Sequence, residues 1–301
     1  MFKHLSLNDL DSRRAEIKNN IEDAYNTHVR HKVRKVEQKN ILLIGRTRTG
    51  KSTIKRVLVN PTVVTEEMTL ASQTKEATFE SFVIDDNHTV LNIIDTPGLF
   101  ERGTDVQKVQ DNAAILKTIE RCIEREITKF HLVAFCASFE SGINEDDVKS
   151  IKALIDFLGP DVSKNSCLVV TRCESKNTEQ LQNLKNEIKS DIHFKPLAGY
   201  FKQGVFFFGA LDRDSWNNAT DNLYRQFENI VQYRELLIKL LGENTTPFAV
   251  KDSNVSDFRK LVEEQKQLQK QIADLKAKGI RDETLIANYE RKLGMRACGI
   301  S

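Results

Sequence analysis

The sequence predicts an α/β fold: a mostly parallel sheet with helices on both faces, and a helical extension at each end of the chain. Three observations predict it. Short apolar runs alternate with amphipathic stretches from Gln38 to about Leu241, a long amphipathic stretch precedes them, and leucines at heptad spacing follow them. Alternating strands and helices are typical of crossover connections, which make neighbouring strands parallel. We therefore divide the chain into a helical extension (1–37), a central domain (38–241) and a helical arm (242–297).

Residues 7–38 are predicted to form one amphipathic helix. Charged residues separate apolar residues that recur at helical spacing. The apolar residues are Leu10, Ile17, Ile21, Tyr25, Val29, Val33 and Val36.

Six apolar runs are the strand candidates of the central domain. Asp85–Asn87 separates the second run from the third and favours a tight turn, so these two strands should form an antiparallel hairpin. Cys136 and Cys167 lie within runs and are predicted to be core thiols, and Trp216 is predicted to lie in the core as well. The six runs are Ile41–Ile44, Phe79–Ile84, Val90–Ile94, His131–Ala137, Cys167–Thr171 and Val205–Phe208.

The arm follows a predicted linker at 242–246. Leu261, Leu268 and Leu275 keep a heptad spacing, which Gly279 interrupts before apolar residues resume. This pattern fits a coiled-coil segment or a helical hairpin. Such an arm either pairs two chains or packs on the protein's own domain.

The composition excludes several classes of protein. The 301 residues include 45 Lys+Arg and 43 Asp+Glu, a net charge of +2, which gives no reason to expect a nucleic-acid partner. No apolar run approaches the roughly 18 residues of a transmembrane helix, and the first residues lack the apolar core of a signal peptide. The five cysteines show no metal-ligand spacing. We expect a protein that is made and kept in the cytosol.

The strongest motif is a phosphate loop that fits GxxxxGK[ST], directly after the first strand candidate and before a predicted helix, Thr53–Val59. Backbone N–H groups of such a loop bind phosphates, its Lys neutralises their charge, and its Ser hydroxyl can ligate Mg²⁺. The implied ligand is a nucleoside triphosphate with Mg²⁺, and Thr53 belongs to the candidate site. The motif consists of Gly45, Arg46, Thr47, Arg48, Thr49, Gly50, Lys51 and Ser52.

A second motif, Asp95-Thr96-Pro97-Gly98, ends the third strand candidate. The carboxyl ends of strands are where open α/β sheets bind their ligands. Asp95 is the predicted Mg²⁺ carboxylate, acting through water, and the N–H of Gly98 is the predicted contact to a γ-phosphate. The segment 99–111 is predicted to change its order with the nucleotide.

Together these motifs resemble the GTPases of immunity-associated proteins, the GIMAP family, which an avirulence-induced gene typifies in plants and which is related to septins and chloroplast-import GTPases. The resemblance covers roughly residues 38–241. It implies a P-loop GTPase-type fold, GTP or GDP with Mg²⁺ as ligands, and a domain that often dimerises or polymerises on membranes. It also implies that Thr74 completes the Mg²⁺ shell beside Ser52 and Asp95. Four further segments of the sequence also match this family: Ser72-Gln73-Thr74-Lys75, Leu99-Phe100, Leu158-Gly159-Pro160 and Leu168-Val169-Val170-Thr171-Arg172.

Base selection is assigned to the end of the fifth strand candidate. GIMAP-like proteins select guanine with Thr-[Lys/Arg]-x-Asp, and this chain has Thr171, Arg172, Cys173 and Glu174 there. Glu keeps the carboxylate on a stem that is longer by one methylene, so guanine remains the expected base and a P-loop ATPase stays an alternative. The stem of Arg172 is predicted to pack on the base plane. The loop Gly209-Ala210-Leu211 is predicted to close over the base.

The residues expected to act in hydrolysis favour opposite predictions for its rate. Leu99 stands where many small GTPases carry a water-orienting Gln, so intrinsic turnover should be slow. Arg48 resembles the phosphate-loop arginine of guanylate-binding proteins and atlastins, which moves onto the phosphates when two G domains face each other. Arg48, with Lys51 and Thr74, is therefore a candidate catalytic residue, as an arginine finger in cis; a phosphate-screening or solvent-facing role is the alternative.

The final four residues, 298–301, fit the prenylation signal C-a-a-X, in which Ser301 favours farnesyl. Cys298 is therefore the candidate lipidation site, with a free thiol as the alternative. One prenyl chain anchors only marginally, so a second contact is needed. Basic residues just upstream of Cys298, or the basic run 30–35, could supply it.

The sequence therefore predicts a slow GTPase, stimulated by dimerisation through its G domains or its terminal helices. It would act as a molecular switch that associates reversibly with the cytosolic face of a membrane. The alternative is a GTP-dependent membrane scaffold with negligible hydrolysis.

Overall fold

In the computed structural model, contacts divide the chain into two compact units, residues 1–37 and 38–301. The described residues are 7–28, 35–66, 76–84, 89–98, 113, 116–122, 124–125, 127–140, 142, 148, 151–152, 155, 158–190, 194–243, 246–250 and 252–277.

In the first unit, the described residues 7–28 form helix α1 (Leu7–His28). It carries charges and apolar side chains at helical spacing, and Ile21 is 63% exposed. The prediction that the helix continues to residue 38 is wrong, because residues 35 and 36 are not helical and the first strand begins at Glu37. Pairing within a sheet outweighs the helical periodicity at this point.

The second unit is built on a six-stranded sheet with the strand order β2-β3-β1-β5-β6-β7. β1, β5, β6 and β7 form parallel pairs, whereas β2 is antiparallel to β3. All six predicted strands and the predicted hairpin are confirmed. The strands are β1 (Glu37–Gly45), β2 (Thr78–Ile84), β3 (Thr89–Asp95), β4 (Lys129–Phe130), β5 (Leu132–Ser138), β6 (Ser166–Thr171), β7 (Val205–Phe207) and β8 (Phe248–Ala249).

The central strands are buried on both faces. Ile41–Ile44 of β1 and the whole of β5 and β6 are buried, as expected for parallel strands that helices cover on each side. This confirms the predicted fold class. The remaining named helices are α2 (Lys51–Val59), α3 (Thr178–Ser190), α4 (Lys195–Ala198), α5 (Arg213–Asn217), α6 (Asn222–Glu243) and α7 (Asp252–Ala277).

The first two residues of the region predicted as a linker, 242 and 243, are helical. Helix α6 continues to Glu243, residues 244–245 lie outside the description, and β8 pairs antiparallel with β4. Strands of two residues have no periodicity that a sequence could reveal, so this small sheet was not predicted.

Helix α7 packs on its own domain over the described residues. Val255 and Val262 join the main core, and Gln265 and Ile272 are buried too. Arg259 reinforces the contact by donating to Glu120 Oε1 over 2.6 and 3.0 Å. Of the leucines predicted to form the heptad seam, Leu268 and Leu275 are only half-buried, so the buried side chains of α7 lie on the face beside them. The side chain of Leu261 and residues 278–301 lie outside the described part of the chain.

Two further predictions concern individual residues. Trp216 is 55% exposed, so its assignment to the core is wrong; it lies on the short surface helix α5. Cys136 and Cys167 are buried core thiols as predicted, and burial raises the pKa of Cys136 to about 12. Across the described part of the chain, no helix is both long enough and apolar enough to span a membrane.

Candidate functional site

Two glycines shape the loop between β1 and α2. A methyl group on Gly45 would lie 2.9 Å from Thr49 Oγ1 and closer still to the carbonyl oxygen of Cys136. Gly50 has a φ of 81°, in the left-handed region, and a methyl group there would lie 3.1 Å from Thr171 Cγ2. Gly45 is therefore required by space, and Gly50 by its backbone conformation as well.

The ammonium group of Lys51 lies within this loop. Its Nζ donates to the carbonyl oxygens of Gly45 over 2.8 Å and Arg46 over 2.7 Å. Thr49 Oγ1 closes the same turn by donating to Arg46 O over 2.8 Å. The side chain of Lys51 is buried, so its ammonium group is held beside the N-terminus of α2. A buried cation at a helix N-terminus favours an anionic ligand such as a phosphate.

The second motif packs directly against the loop. A methyl group on Gly98 would lie 2.5 Å from Thr47 Cα and 2.6 Å from Thr47 Cβ. Thr96 fixes the start of the turn by donating from Oγ1 to Leu43 O over 2.8 Å. The structure thus brings the two motifs together, with Gly98 packed against Thr47 of the phosphate loop.

Ser52 and Asp95 form the centre that was predicted to hold a cation. Ser52 Oγ donates to Asp95 Oδ2 over 2.6 Å. Asp95 is buried, and its Oδ1 has no hydrogen-bond partner among the described residues. Burial raises the pKa of this carboxyl, an effect that the Ser52 hydrogen bond and Lys51 oppose.

These observations fit Mg²⁺. A hard cation prefers oxygen ligands, and the buried carboxylate of Asp95 beside the Ser52 hydroxyl offers them. Ser52 and Asp95 would hold the ion, and the ion would supply charge to offset that of the phosphates. Thr74, the third predicted ligand, lies outside the described residues.

The end of β6 attaches residues 171–174, the predicted base-recognition motif, to the phosphate loop. Thr171 Oγ1 donates to Thr49 O over 2.9 Å and lies 3.3 Å from Ala137 O. The next residue, Arg172, has a φ of 62° and pairs with Glu140, Nη1 to Oε2, at 2.8 Å. The phosphate loop and the base-recognition motif are therefore held in register by a buried hydroxyl.

Glu174 lies against the loop that follows β7. A methyl group on Gly209 would lie 2.8 Å from Glu174 Cβ and 2.9 Å from Glu174 N, and closer still to Oε2. Ala210 beside it is buried. Burial raises the pKa of Glu174, and Arg172 opposes the shift. The structure thus brings together the carboxylate and the loop Gly209–Ala210 that were predicted to contact the base, and the absence of a side chain on Gly209 accommodates the longer stem of Glu174.

Arg48 lies at the tip of the phosphate loop. It is exposed and has a φ of 67°, so the loop turns through a left-handed position there without a glycine. Thr53 lies in the first turn of α2, which begins at Lys51, two residues earlier than predicted. Leu99 and Cys298 lie outside the described residues.

Sequence reasoning missed the residues that support the base-recognition motif from α6. Asn229 Nδ2 donates to Glu174 O over 2.8 Å, and Tyr233 OH donates to Cys173 O over 3.2 Å. Gln226 occupies a buried position in a stripe that otherwise contains Ile230, Tyr233, Leu237 and Leu241. A polar amide at a core position of an amphipathic helix was the one signal that could have identified this face.

The sequence matches the AIG1 family over residues 39–232. Among its relatives, immune-associated nucleotide-binding protein 3 of Arabidopsis thaliana is 24% identical over 261 residues, which are 85% of this chain and 71% of that protein. Immune-associated nucleotide-binding protein 7 of the same plant is 26% identical over 135 residues, 45% of this chain and 41% of that protein. Among solved structures, Toc33 from Arabidopsis thaliana in complex with GDP and Mg²⁺ has a TM-score of 0.47 at 16% identity and covers 72% of this chain and 89% of that one. Because the family match spans more than half of the sequence, the chain belongs to the AIG1 family of GTPases, as its motifs implied.

Proposed function

We propose that this GTPase hydrolyses GTP slowly on its own and faster when two G domains face each other, and that it acts as a nucleotide-dependent switch at a membrane surface. The single observation that carries the nucleotide chemistry is the position of Asp95. Its buried Oδ1, which has no hydrogen-bond partner in the part of the chain that the structure describes, lies beside the Ser52 hydroxyl at the start of the helix that follows the phosphate loop.

The phosphates, the Mg²⁺ ion and the base are each assigned to named groups of the chain. Lys51 and the backbone N–H groups of residues 45–52 bind the phosphates, and Ser52 with Asp95 holds Mg²⁺. Glu174 accepts hydrogen bonds from two guanine N–H groups, which adenine does not offer in that arrangement. The ligands are therefore GTP, its product GDP and Mg²⁺.

In the reaction, a water oxygen bonds to the γ-phosphorus while the bond to the β,γ-bridging oxygen breaks. The products are GDP and inorganic phosphate, and both protons of the water leave on the phosphate as dihydrogen phosphate. Lys51 stabilises the negative charge that develops on the transferred group. Leu99 cannot hydrogen-bond to the attacking water, so the lone domain turns over slowly.

Dimerisation is proposed to complete the site through Arg48. Its exposure at the loop tip leaves room for a facing domain to redirect it. A guanidinium that reaches the γ-phosphate contributes about 10³ to 10⁵ in rate where it operates.

Membrane association rests on the sequence signal at Cys298. A farnesyl group there, with a basic segment as the second contact, would give reversible attachment at a cytosolic surface. The alternative function is a GTP-loaded membrane scaffold, which the absence of a hydrogen-bonding group at Leu99 favours.

The test is GTP turnover over a range of protein concentrations for the wild type, Arg48→Ala and Arg48→Lys, with Lys202→Ala as a surface control. We expect the specific activity of the wild type and of Lys202→Ala to rise with concentration. Arg48→Ala should stay at the low-concentration rate while it binds GTP normally, and Arg48→Lys should recover little, because an ammonium lacks the planar fork. Activity in Arg48→Ala equal to that of the wild type would remove the proposed role, and negligible wild-type turnover at all concentrations would favour the scaffold.

A further inference from the structure

One face of α6 is hydrogen-bonded to the backbone of residues 173–176, the loop that includes Glu174. Asn229 Nδ2 donates to Glu174 O over 2.8 Å and to Lys176 O over 3.2 Å. Tyr233 OH donates to Cys173 O over 3.2 Å, and Arg225 Nη2 donates to Ser175 O over 2.9 Å. Four consecutive carbonyl groups of the loop, at residues 173–176, thus each accept a hydrogen bond from α6.

Gln226 on the same face joins this loop to the one that follows β7. Its Oε1 accepts from Asp212 N over 3.0 Å, and its Nε2 donates to Ser175 Oγ over 3.1 Å and lies 3.4 Å from Ser215 Oγ. Gln226 is 1% exposed. A buried amide with all these partners is costly to move, because each group left unpaired loses its hydrogen bond without regaining water.

Helix α6 itself is fixed to the core. Ile230 and Leu237 are completely buried, and they lie on the same side as the bonding residues because positions three, four and seven apart share a helix face. Arg234 Nε donates to Leu58 O over 2.8 Å, which attaches α6 to the last turn of α2. The hydrogen bonds to the loop therefore start from a rigid support that also holds the helix of the phosphate loop.

Such support matters because Glu174 is the group that reads the base. Its stem has one more rotatable bond than that of aspartate, so a carboxylate that must accept two N–H groups at once depends on a fixed backbone beneath it. Asn229 bonds to the main chain of residues 174 and 176, and Gln226 bonds to the main-chain N–H of Asp212 and to the Ser175 hydroxyl.

We propose that Asn229 and Gln226 are positioning residues for base selection, holding the main chain of Glu174 and its facing loop so that this carboxylate discriminates guanine from adenine. This inference rests on the proposed role of Glu174 in guanine binding. It assigns a determinant of base specificity to side chains of α6 that bond to the two loops.

The experiment measures equilibrium binding of fluorescently labelled GDP and ADP to the full chain, for the wild type, Asn229→Ala and Gln226→Ala. Asn229→Ala should weaken GDP binding about tenfold, equivalent to about 1.4 kcal/mol, and leave ADP binding within about twofold. Gln226→Ala should lower the GDP preference in the same direction. Gln232→Ala, an exposed amide on the same helix, should leave both affinities unchanged.

A double-mutant cycle separates positioning from a general loss of structure. In a Glu174→Ala background, Asn229→Ala should have no further effect on GDP affinity, because the group through which it acts is gone. Equal loss of GDP and ADP, no loss of either, or additive losses in the cycle would each overturn the inference. A wild type that prefers ADP or shows no preference would refute guanine selection itself, whereas a selective wild type with an equally selective Asn229→Ala would refute only the positioning role.

Discussion

Ser52 Oγ donates a 2.6 Å hydrogen bond to Asp95 Oδ2, and this bond joins the first turn of α2 to the carboxyl end of β3. The other carboxylate oxygen, Oδ1, is buried with no hydrogen-bond partner in the described part of the chain. Ser52 and Asp95, which are 43 positions apart in sequence, thus join the two motifs at one carboxylate. Its chemistry suits a hard divalent cation bound together with a triphosphate.

The first prediction concerns that carboxylate. Asp95→Asn keeps the size of the side chain and removes its charge, so Mg²⁺ should no longer strengthen GTP binding, and GTP affinity in Mg²⁺ should fall at least about tenfold. Titration of GTP with Mg²⁺ or with a chelator measures both effects. Asp221→Asn, an exposed surface change, should retain the Mg²⁺ effect. An unaltered Mg²⁺ effect in Asp95→Asn would place the cation elsewhere.

A second prediction uses the close approach of Gly98 to the phosphate loop. Gly98→Ala would insert a methyl group 2.5 Å from Thr47 Cα, so the loop or the turn must shift, and GTP affinity should fall at least about tenfold. Gly199→Ala is the matched control, because a methyl group there meets nothing within 4 Å. Nucleotide binding by equilibrium titration should separate the two variants; similar affinities would mean that the loop tolerates displacement.

The sequence allowed these contacts to be anticipated for a physical reason. A phosphate loop needs glycines, a lysine and a hydroxyl at fixed spacing, and Asp95 follows a strand that is apolar enough to identify. Residues 45–52 and 95–98 could therefore be assigned before their positions were known. The support from Asn229 and Gln226 could not, since hydrogen bonds from a helix to a distant main chain leave no fixed spacing in the sequence.

A third prediction concerns pH. Burial raises the pKa of Glu174, so on acidification this carboxylate takes up its proton at a higher pH than an exposed glutamate does. The protonated form cannot accept two N–H groups, so the ratio of GDP to ADP affinity should decline as the pH falls from about 7 to about 5. The diphosphate is common to both ligands, so its own titration cancels in the ratio. Glu174→Gln should give a low ratio that is flat with pH; a wild-type ratio that is equally flat would show that the ionised carboxylate does not select the base.

The fourth prediction tests whether α7 belongs to its own domain. Val262 is 1% exposed in the main core, so Val262→Ala should lower the free energy of unfolding by about 2 kcal/mol and Tm by about 4 to 8 °C. Thermal unfolding measures this, with exposed Lys270→Ala as the control on the same helix. A normal Tm combined with a lost dimer would instead make this face an interface between chains.

The helical arm also shows where periodicity misleads. Leu261, Leu268 and Leu275 suggested the seam. Among the described side chains of α7, however, those of Val255, Val262, Gln265 and Ile272 are buried, whereas Leu268 and Leu275 are half-buried. Both sets keep heptad spacing, and which one faces the core depends on the shape of the domain surface, including the ion pair of Arg259 with Glu120. Likewise, the helical pattern continues through residues 35–38, yet residues 35 and 36 are not helical and β1 begins at Glu37, where sheet pairing decides the conformation.

Base-selective hydrolysis is the central claim, and phosphate release from GTP compared with ATP tests it most directly. The full chain with Mg²⁺ should release phosphate from GTP at a rate that rises with protein concentration, release far less from ATP, and release none above background in Lys51→Ala. Equal rates with ATP, or the same rate in Lys51→Ala, would contradict the account.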